Sequence, residues 1–419
     1  MSVQNQHLKQ KLPRFIIGIA NHKYTYREAM ESTGYSRSRL AVLVREYKET
    51  GVIDLVHKNT NRRAYNRIPQ ETRDRIVELY LTETYNDCNF KFFTYCLNEY
   101  EGIDVCYRSI RNIMAEYGIK SPEARKKKKE VLHRPRDRRE CEGDLLQLDA
   151  TPYPWFYKFG NNKKYAIHGA IDDATSKPTA FYCTENECSY GYLEVLRQTI
   201  NNYGIPRQTY TDRAAIFCVT PKEKQNLTAW EAMEAIHNKR TQWQRILDDL
   251  GIDQILAWSP QAKGRVERMW HTVQDWLPTM MYKNGIDTVE KLNAWLPKFV
   301  KFYQDQWAVK PKDTESFYVP ADGCDLDDIL TVQIPRKTDS NGCFSFHSYK
   351  FAIEDCSRCS CMAIMLHISE NGIFAKINGK LYKTRCLDEI QTTISDKMPH
   401  IVQDLIYRYC FAYAKEISA

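Results

Sequence analysis

The chain has 419 residues, 43% of them apolar and 27% charged, and a net charge of +7; that length exceeds one ordinary core and predicts roughly two to four domains. The mild basic excess names no partner by itself, and fourteen cysteines in so long a chain without a signal-like stretch point to reduced thiols in a cytosol, not to a disulfide scaffold. The apolar run at 15–20 is too short to span a bilayer or act as a signal, so the expectation is a cytoplasmic protein with no membrane partner.

Residues 24–50 read as two helices broken at Thr33-Gly34, with Ser36 as N-cap of the second. In that second helix Leu40, Leu43, Val44 and Tyr47 recur at helical spacing and predict a core face, while Arg37, Ala41, Arg45 and Lys48 fall opposite. A short helix, a glycine turn and a second helix with arginines at its exposed start form the helix-turn-helix pattern. On that reading Arg37 and Arg39 contact guanine edges; a plain helical hairpin with a solvated basic face is the alternative. The expected domain covers 1–63 and ends in a basic connector, where Arg62 and Arg63 either follow phosphate or belong to a solvated linker. Helical periodicity returns at 70–83, 89–100 and 105–117, the last with an apolar stripe of Ile110, Ile113, Met114 and Tyr117 and with Arg108 and Arg111 outside it. This predicts a second helical, helix-turn-helix-like domain over 64–119, stopped at Gly118. The stretch 120–140 holds Lys126, Lys127, Lys128 and Lys129 among other cations, so it self-repels and predicts an extended basic linker. On DNA such a run adds affinity and salt dependence without sequence preference.

Apolar alternation over 144–150 predicts a strand carrying Asp149, and a β-prone run over 208–212 ends at Asp212. Between them, 165–171 and 178–184 flank the polar turn DDATSK, an expected antiparallel hairpin in which Asp172 and Asp173 are turn formers and not ligands. An amphipathic helix follows at 192–203, and 218–243, charged and helix-prone, reads as an insertion. Next comes WSPQAKGRVERMW (258–270), where Ser259-Pro260 ends the preceding element and a helix begins from Arg265, with Glu267 fixed among Lys263, Arg265 and Arg268. Alone, such a glutamate is a solvated helix face and each aspartate a turn residue. Together, Asp149, Asp212 and Glu267 make an oxygen-only set suited to Mg²⁺ or Mn²⁺, two ions per site, with positions left for water and phosphate. Lys263, Arg265 and Arg268 would neutralise nearby phosphates, and His271, one turn past Glu267, either approaches the DNA strand or simply packs.

A further amphipathic helix at 288–303 covers the expected sheet. From 331 to 385, short alternating runs split by Asn341-Gly342, Asn371-Gly372 and Asn378-Gly379 predict hairpins and a small β-barrel within 325–390. Cys356, Cys359 and Cys361, with Cys343, His347 and His367 nearby, invite a zinc reading; the spacing lacks a second matching pair, which favours reduced, partly buried thiols. The remaining 391–419 form an aromatic-rich helical tail, expected to dock on another surface, with a second subunit as candidate.

Four runs in this order, LLQLDATPYPWF (145–156), AIDDATSK (170–177), YTDRAAIF (210–217) and SPQAKGRVER (259–268), resemble bacterial insertion-sequence transposases of the retroviral-integrase superfamily, and within them the ISNCY branch. The resemblance implies a ribonuclease H-like catalytic core over 141–320 with a DDE triad at Asp149, Asp212 and Glu267, followed by an SH3-like barrel. Two places depart from it: Trp270-His271 stand where the branch usually shows a small polar pair, and Gln274 where many relatives carry a basic residue. The expected whole is a multidomain α/β protein with N-terminal helix-turn-helix domains, that core and a C-terminal barrel. Its expected role is metal-dependent cleavage and strand transfer at element ends, with double-stranded DNA as partner, nucleoid association when bound, and a dimer or higher homo-oligomer on paired ends. The alternatives are a catalytically inactive or domesticated DNA-binding regulator and a structure-selective nuclease of the same fold.

Overall fold

The alternation around Asp149 is realised as β1 (Leu146–Tyr153), the central strand of a five-stranded sheet of order β3-β2-β1-β4-β5. In the computed structural model, residues 3–53, 55, 67–122, 137–218, 240–257, 264–388 and 398–412 are described. β2 (Tyr165–Asp172) runs antiparallel to β1, in register from Leu146 opposite Asp172 to Tyr153 opposite Tyr165, and β3 (Pro178–Thr184) closes the expected hairpin. Helix α7 (Ser189–Tyr203) returns the chain across the sheet, so that β4 (Gln208–Thr211) lies parallel to β1 on its free side. Next in the described chain comes α8 (Gln242–Leu250), and β5 (Asp253–Leu256) adds parallel to β4. Three antiparallel strands followed by a helix and a parallel strand are the order expected of a ribonuclease H-like core.

The pleat divides β1 between two layers. Leu146 and Leu148 join Leu193, Leu196 and Ile200 of α7 and Ile246, Leu247 and Leu250 of α8 in one buried cluster. Gln147 and Asp149 point to the other face, where α9 (Gly264–Lys283) and α10 (Val289–Trp307) pack, with Phe181 of β3 against Trp270 and Phe299. Helix α8 starts at the end of the expected insertion. Thr241 caps it with Gln244 in a reciprocal box, and Trp243 is buried against Phe217, so the segment's C-terminal end belongs to the core; 219–239 lie outside the described residues.

The chain separates into two compact units, 1–74 and 75–419. The first holds α1 (Val3–Ala20), α2 (Tyr26–Thr33) and α3 (Arg37–Thr50), which enclose Leu12, Ile16, Ile19, Ala29, Leu40, Leu43 and Val44. Ser36 accepts from the Arg39 amide as N-cap, and Gly34 turns the chain with a left-handed φ of 71°. The boundary falls within α4 (Gln70–Tyr80). In the second unit α5 (Phe90–Tyr100) packs on α9, Phe92 stacking on Trp276 at 4.4 Å and Lys283 bonding Glu101 at 2.8 Å, and α6 (Tyr107–Glu116) lies against α5.

The C-terminal strands β6 (Val332–Lys337), β7 (Cys343–Phe346), β8 (Tyr349–Ile353), β9 (Ala363–Ser369), β10 (Gly372–Ile377) and β11 (Lys380–Cys386) form a nearly closed, barrel-like sheet of order β6-β9-β10-β11-β8-β7. Asn378 and Gly379, with φ of 51° and 82°, make the two-residue turn between β10 and β11. Asn341-Gly342 turns the chain between strands that do not pair with each other. The zinc reading is not supported: among the described residues no group of three His, Cys, Asp or Glu is placed to hold an ion, Cys359 donates to the Cys356 carbonyl, and His367 is buried beside Thr331. All fourteen cysteines are free thiols. The tail's docking surface is within this chain: α11 (His400–Ile406) and the π-helical turn Tyr407–Phe411 bury Val402, Leu405, Ile406 and Cys410 in the barrel, and Phe411 meets Tyr190 of α7.

Candidate active site

β1, which carries Asp149, and β4, which ends just before Asp212, are parallel neighbours at the centre of the sheet. Their register pairs Leu146 with Thr209 and Gln147 with Tyr210, two residues before Asp149 on β1 and two before Asp212, which stands just past β4. Asp212 follows the last residue of β4 and accepts from the Ala214 amide at 2.9 Å, a local turn that fixes the carboxylate. Tyr192, fully buried in α7, senses both groups: burial pushes its phenol well above the usual range, and Glu187, Asp149 and Asp212 add to it.

The third carboxylate comes from α9. Glu267 lies in its first turn and is exposed, while the residues around it are tied to the sheet. Arg265, 9% exposed, pairs with the wholly buried Asp173 at 2.8 Å. Asp173 also accepts from Gln147 at 2.6 Å and from the Arg139 amide at 2.8 Å, and Gln147 in turn accepts from the Val266 amide. One turn past Glu267, the Trp270 indole donates to Asp149 Oδ2 at 3.2 Å, and a further turn on, Gln274 donates to Thr151 at 2.9 Å. Gly169 lies opposite Asp149 on β2, and a Cβ there would stand 2.7 Å from the Trp270 ring, so the indole reaches Asp149 over a position without a side chain.

Asp172 and Asp173 are structural, as expected of turn formers. Asp172 accepts from Thr175 and from the Gly143 amide, and burial raises its pKa; Asp173 does more than turn the chain, since it anchors α9. Arg265 is a correction. Expected at phosphate, it is buried on Asp173 and serves as the helix anchor. Arg268 is exposed near Glu267, and His271, 69% exposed at its side chain, faces Asp275 at 3.4 Å instead of packing. Arg37, Arg39 and Arg45 are exposed on α3 and Arg108 and Arg111 on α6. Arg62, Arg63, Lys126, Lys127, Lys128, Lys129 and Lys263 lie outside the described residues. The parts played by Trp270, Gln274 and Gly169 emerge only from the fold; the signal in the sequence is that 267, 270 and 274 share one helical face.

No family model matches the chain. The transposase for insertion sequence IS1202 of Streptococcus pneumoniae is 30% identical over 328 residues, covering 71% of this chain and 68% of that one. The chain belongs to the insertion-sequence transposases. A second relative of this transposase, y4bF of Sinorhizobium fredii (strain NBRC 101917 / NGR234), itself a transposase by inference, is 29% identical over 339 residues, 80% of this chain and 71% of that one. Among solved structures, it is similar to the HTLV-2 integrase catalytic core domain in complex with magnesium (trimeric form), over 37% of this transposase and 84% of that chain, at 18% identity and a TM-score of 0.26. It is also similar to a simian T-cell lymphotropic virus intasome in complex with PP2A regulatory subunit B56 gamma, over 77% of this transposase and 100% of that chain, at 12% identity and a TM-score of 0.31. Among the described residues of the transposase no helix is long and apolar enough to cross a membrane.

Proposed function

We propose that this transposase is of the DDE type: it binds the ends of its element, cleaves there to free a 3′-hydroxyl, and joins that hydroxyl to target DNA. The observation that supports the reading is the parallel pairing of β1, which carries Asp149, with β4, which Asp212 directly follows, with the Glu267 helix joined to Asp149 through Trp270. The donor set is all oxygen, which fits Mg²⁺ or Mn²⁺, and one of the three oxygen groups is still exposed on a first helical turn. Bound there, two such ions would activate the attacking oxygen and stabilise the leaving one in an in-line displacement.

Asp149 and Asp212 hold fixed positions on the sheet, and Glu267 approaches them from the anchored helix to complete the set. Among the described residues the three do not stand as a closed ligand cluster, so the site is completed when Glu267 turns inward. The exposed Arg268 and His271 flank it and would meet the phosphates of the scissile strand. Helix α3 presents Arg37, Arg39 and Arg45 to the major groove of the element end, and Arg108 and Arg111 of α6 add a second contact. Arg62, Arg63, Lys263 and Lys126, Lys127, Lys128 and Lys129 supply non-specific phosphate contacts. The working form pairs two copies, one active site for each element end.

The test is incubation of the purified full chain with a labelled element end and a random duplex, with and without Mg²⁺. Metal-dependent nicking at the element end, releasing a 3′-hydroxyl, is expected. Tight end binding with no cleavage in Mg²⁺ or Mn²⁺ would instead support a DNA-binding regulator.

A further inference from the structure

We propose that Trp270 is a positioning residue, whose indole N–H holds the Asp149 carboxylate in the orientation in which it receives a divalent cation. The proposal rests on the reading of Asp149 as a cation ligand. Trp270 is 5% exposed, and a buried indole N–H needs an acceptor. Of the acceptors near β1, it takes Asp149 Oδ2, at 3.2 Å, while Oδ1 of the same carboxylate is not engaged by this ring. The ring is itself fixed, with Phe181 at a centroid distance of 5.6 Å and Gly169 leaving the space beneath it. A neutral donor on one oxygen restricts rotation of the carboxylate without neutralising its charge, which is how outer partners of metal ligands act. The same bond ties the helix that carries Glu267 to the strand that carries Asp149, so one contact joins the two elements that bear these ligands.

The test uses the full chain without DNA. Mg²⁺ is titrated while the indole ¹H–¹⁵N resonance of Trp270 is followed, identified by its loss in Trp270→Phe, and Mn²⁺ binding is measured by electron paramagnetic resonance in the native chain, Trp270→Phe and Asp149→Asn. The Trp270 resonance should shift with Mg²⁺ in the native chain and stay fixed in Asp149→Asn. Trp270→Phe keeps the ring packing, and it should raise the Mn²⁺ concentration at half-saturation about tenfold with an unchanged unfolding temperature. A native midpoint in Trp270→Phe, with Asp149→Asn impaired, would overturn the positioning role and leave the triad standing. A native midpoint in Asp149→Asn would overturn the ligand reading and the proposal with it. If Trp270→Phe does not fold, Gly169→Ala displaces the ring while keeping its N–H; the same weakening is expected, and a native midpoint there would also overturn the proposal.

Discussion

Single side chains carry both the legible and the hidden parts of this candidate site. Asp149 and Asp212 stand out in the sequence because each closes an apolar β-prone run; the fold carries β1 on past Asp149 to Tyr153 and ends β4 just before Asp212. Asp173 does not: DDATSK states a turn, whereas its bond to Arg265 spans 92 positions and depends on the third dimension. His168 is equally silent in the sequence. It is wholly buried in β2, accepts from the Cys188 amide at Nε2 and faces the Tyr182 carbonyl with Nδ1, an arrangement that needs the neutral ring protonated at Nδ1. Burial therefore lowers its pKa from the ordinary 6.5 to about 4. With the folded pKa below the unfolded one, the unfolded chain takes up protons first, so this contribution is present above pH 6.5 and is lost as pH falls toward 4. The loss amounts to roughly 3 kcal/mol. Urea unfolding at a series of pH values should show a steeper acid decline in the native chain than in His168→Gln; parallel curves would count against a neutral buried ring.

Element boundaries follow periodicity where a segment has one wet and one buried face. The hairpin β2–β3, helix α7 and helix α10 lie near where the pattern predicts them, and Ser36 caps α3 as its residue type suggests. Helix α8 begins only at the end of the apparent insertion, and its partner Phe217 is brought to it by the fold. The tail is recognisable as a helix that docks, but an aromatic stripe does not say on what, and the barrel and Tyr190 are what it covers. For α9 the decisive element-scale contact is the Arg265–Asp173 pair, with side chains 9% and 0% exposed. Removing one partner of such a pair strands the other charge in the interior and costs about 3–5 kcal/mol. Arg265→Met and Asp173→Asn should each lower unfolding stability by that order and loosen the Glu267 turn, seen as faster amide hydrogen exchange at the start of α9. Native stability in both variants would show that the pair does not anchor the helix.

At the scale of the whole molecule, two compact units, 1–74 and 75–419, separate helix α3 from the sheet that bears the aspartates. Under the proposed function, reading DNA and cutting it should be separable by mutation. Arg37→Ala and Arg39→Ala should weaken binding to the element end by about 1–3 kcal/mol for each base no longer read, with less effect on random duplex. Neutralising Lys126, Lys127, Lys128 and Lys129 should weaken binding to all DNA and flatten its salt dependence. Equal losses on both DNAs in the arginine variants would remove α3 from the groove. The central claim is that three carboxylates, one on a strand, one in the turn after a strand and one on a helix, perform the chemistry and not the binding. Its most direct measurement is single-turnover cleavage of a labelled element end in Mg²⁺ by the full chain and by Asp149→Asn, Asp212→Asn and Glu267→Gln, with end binding measured on the same preparations. Each swap keeps shape and removes the charge that holds the cation, so cleavage should vanish in all three while binding stays near native. Near-native cleavage in any one of them would contradict the triad.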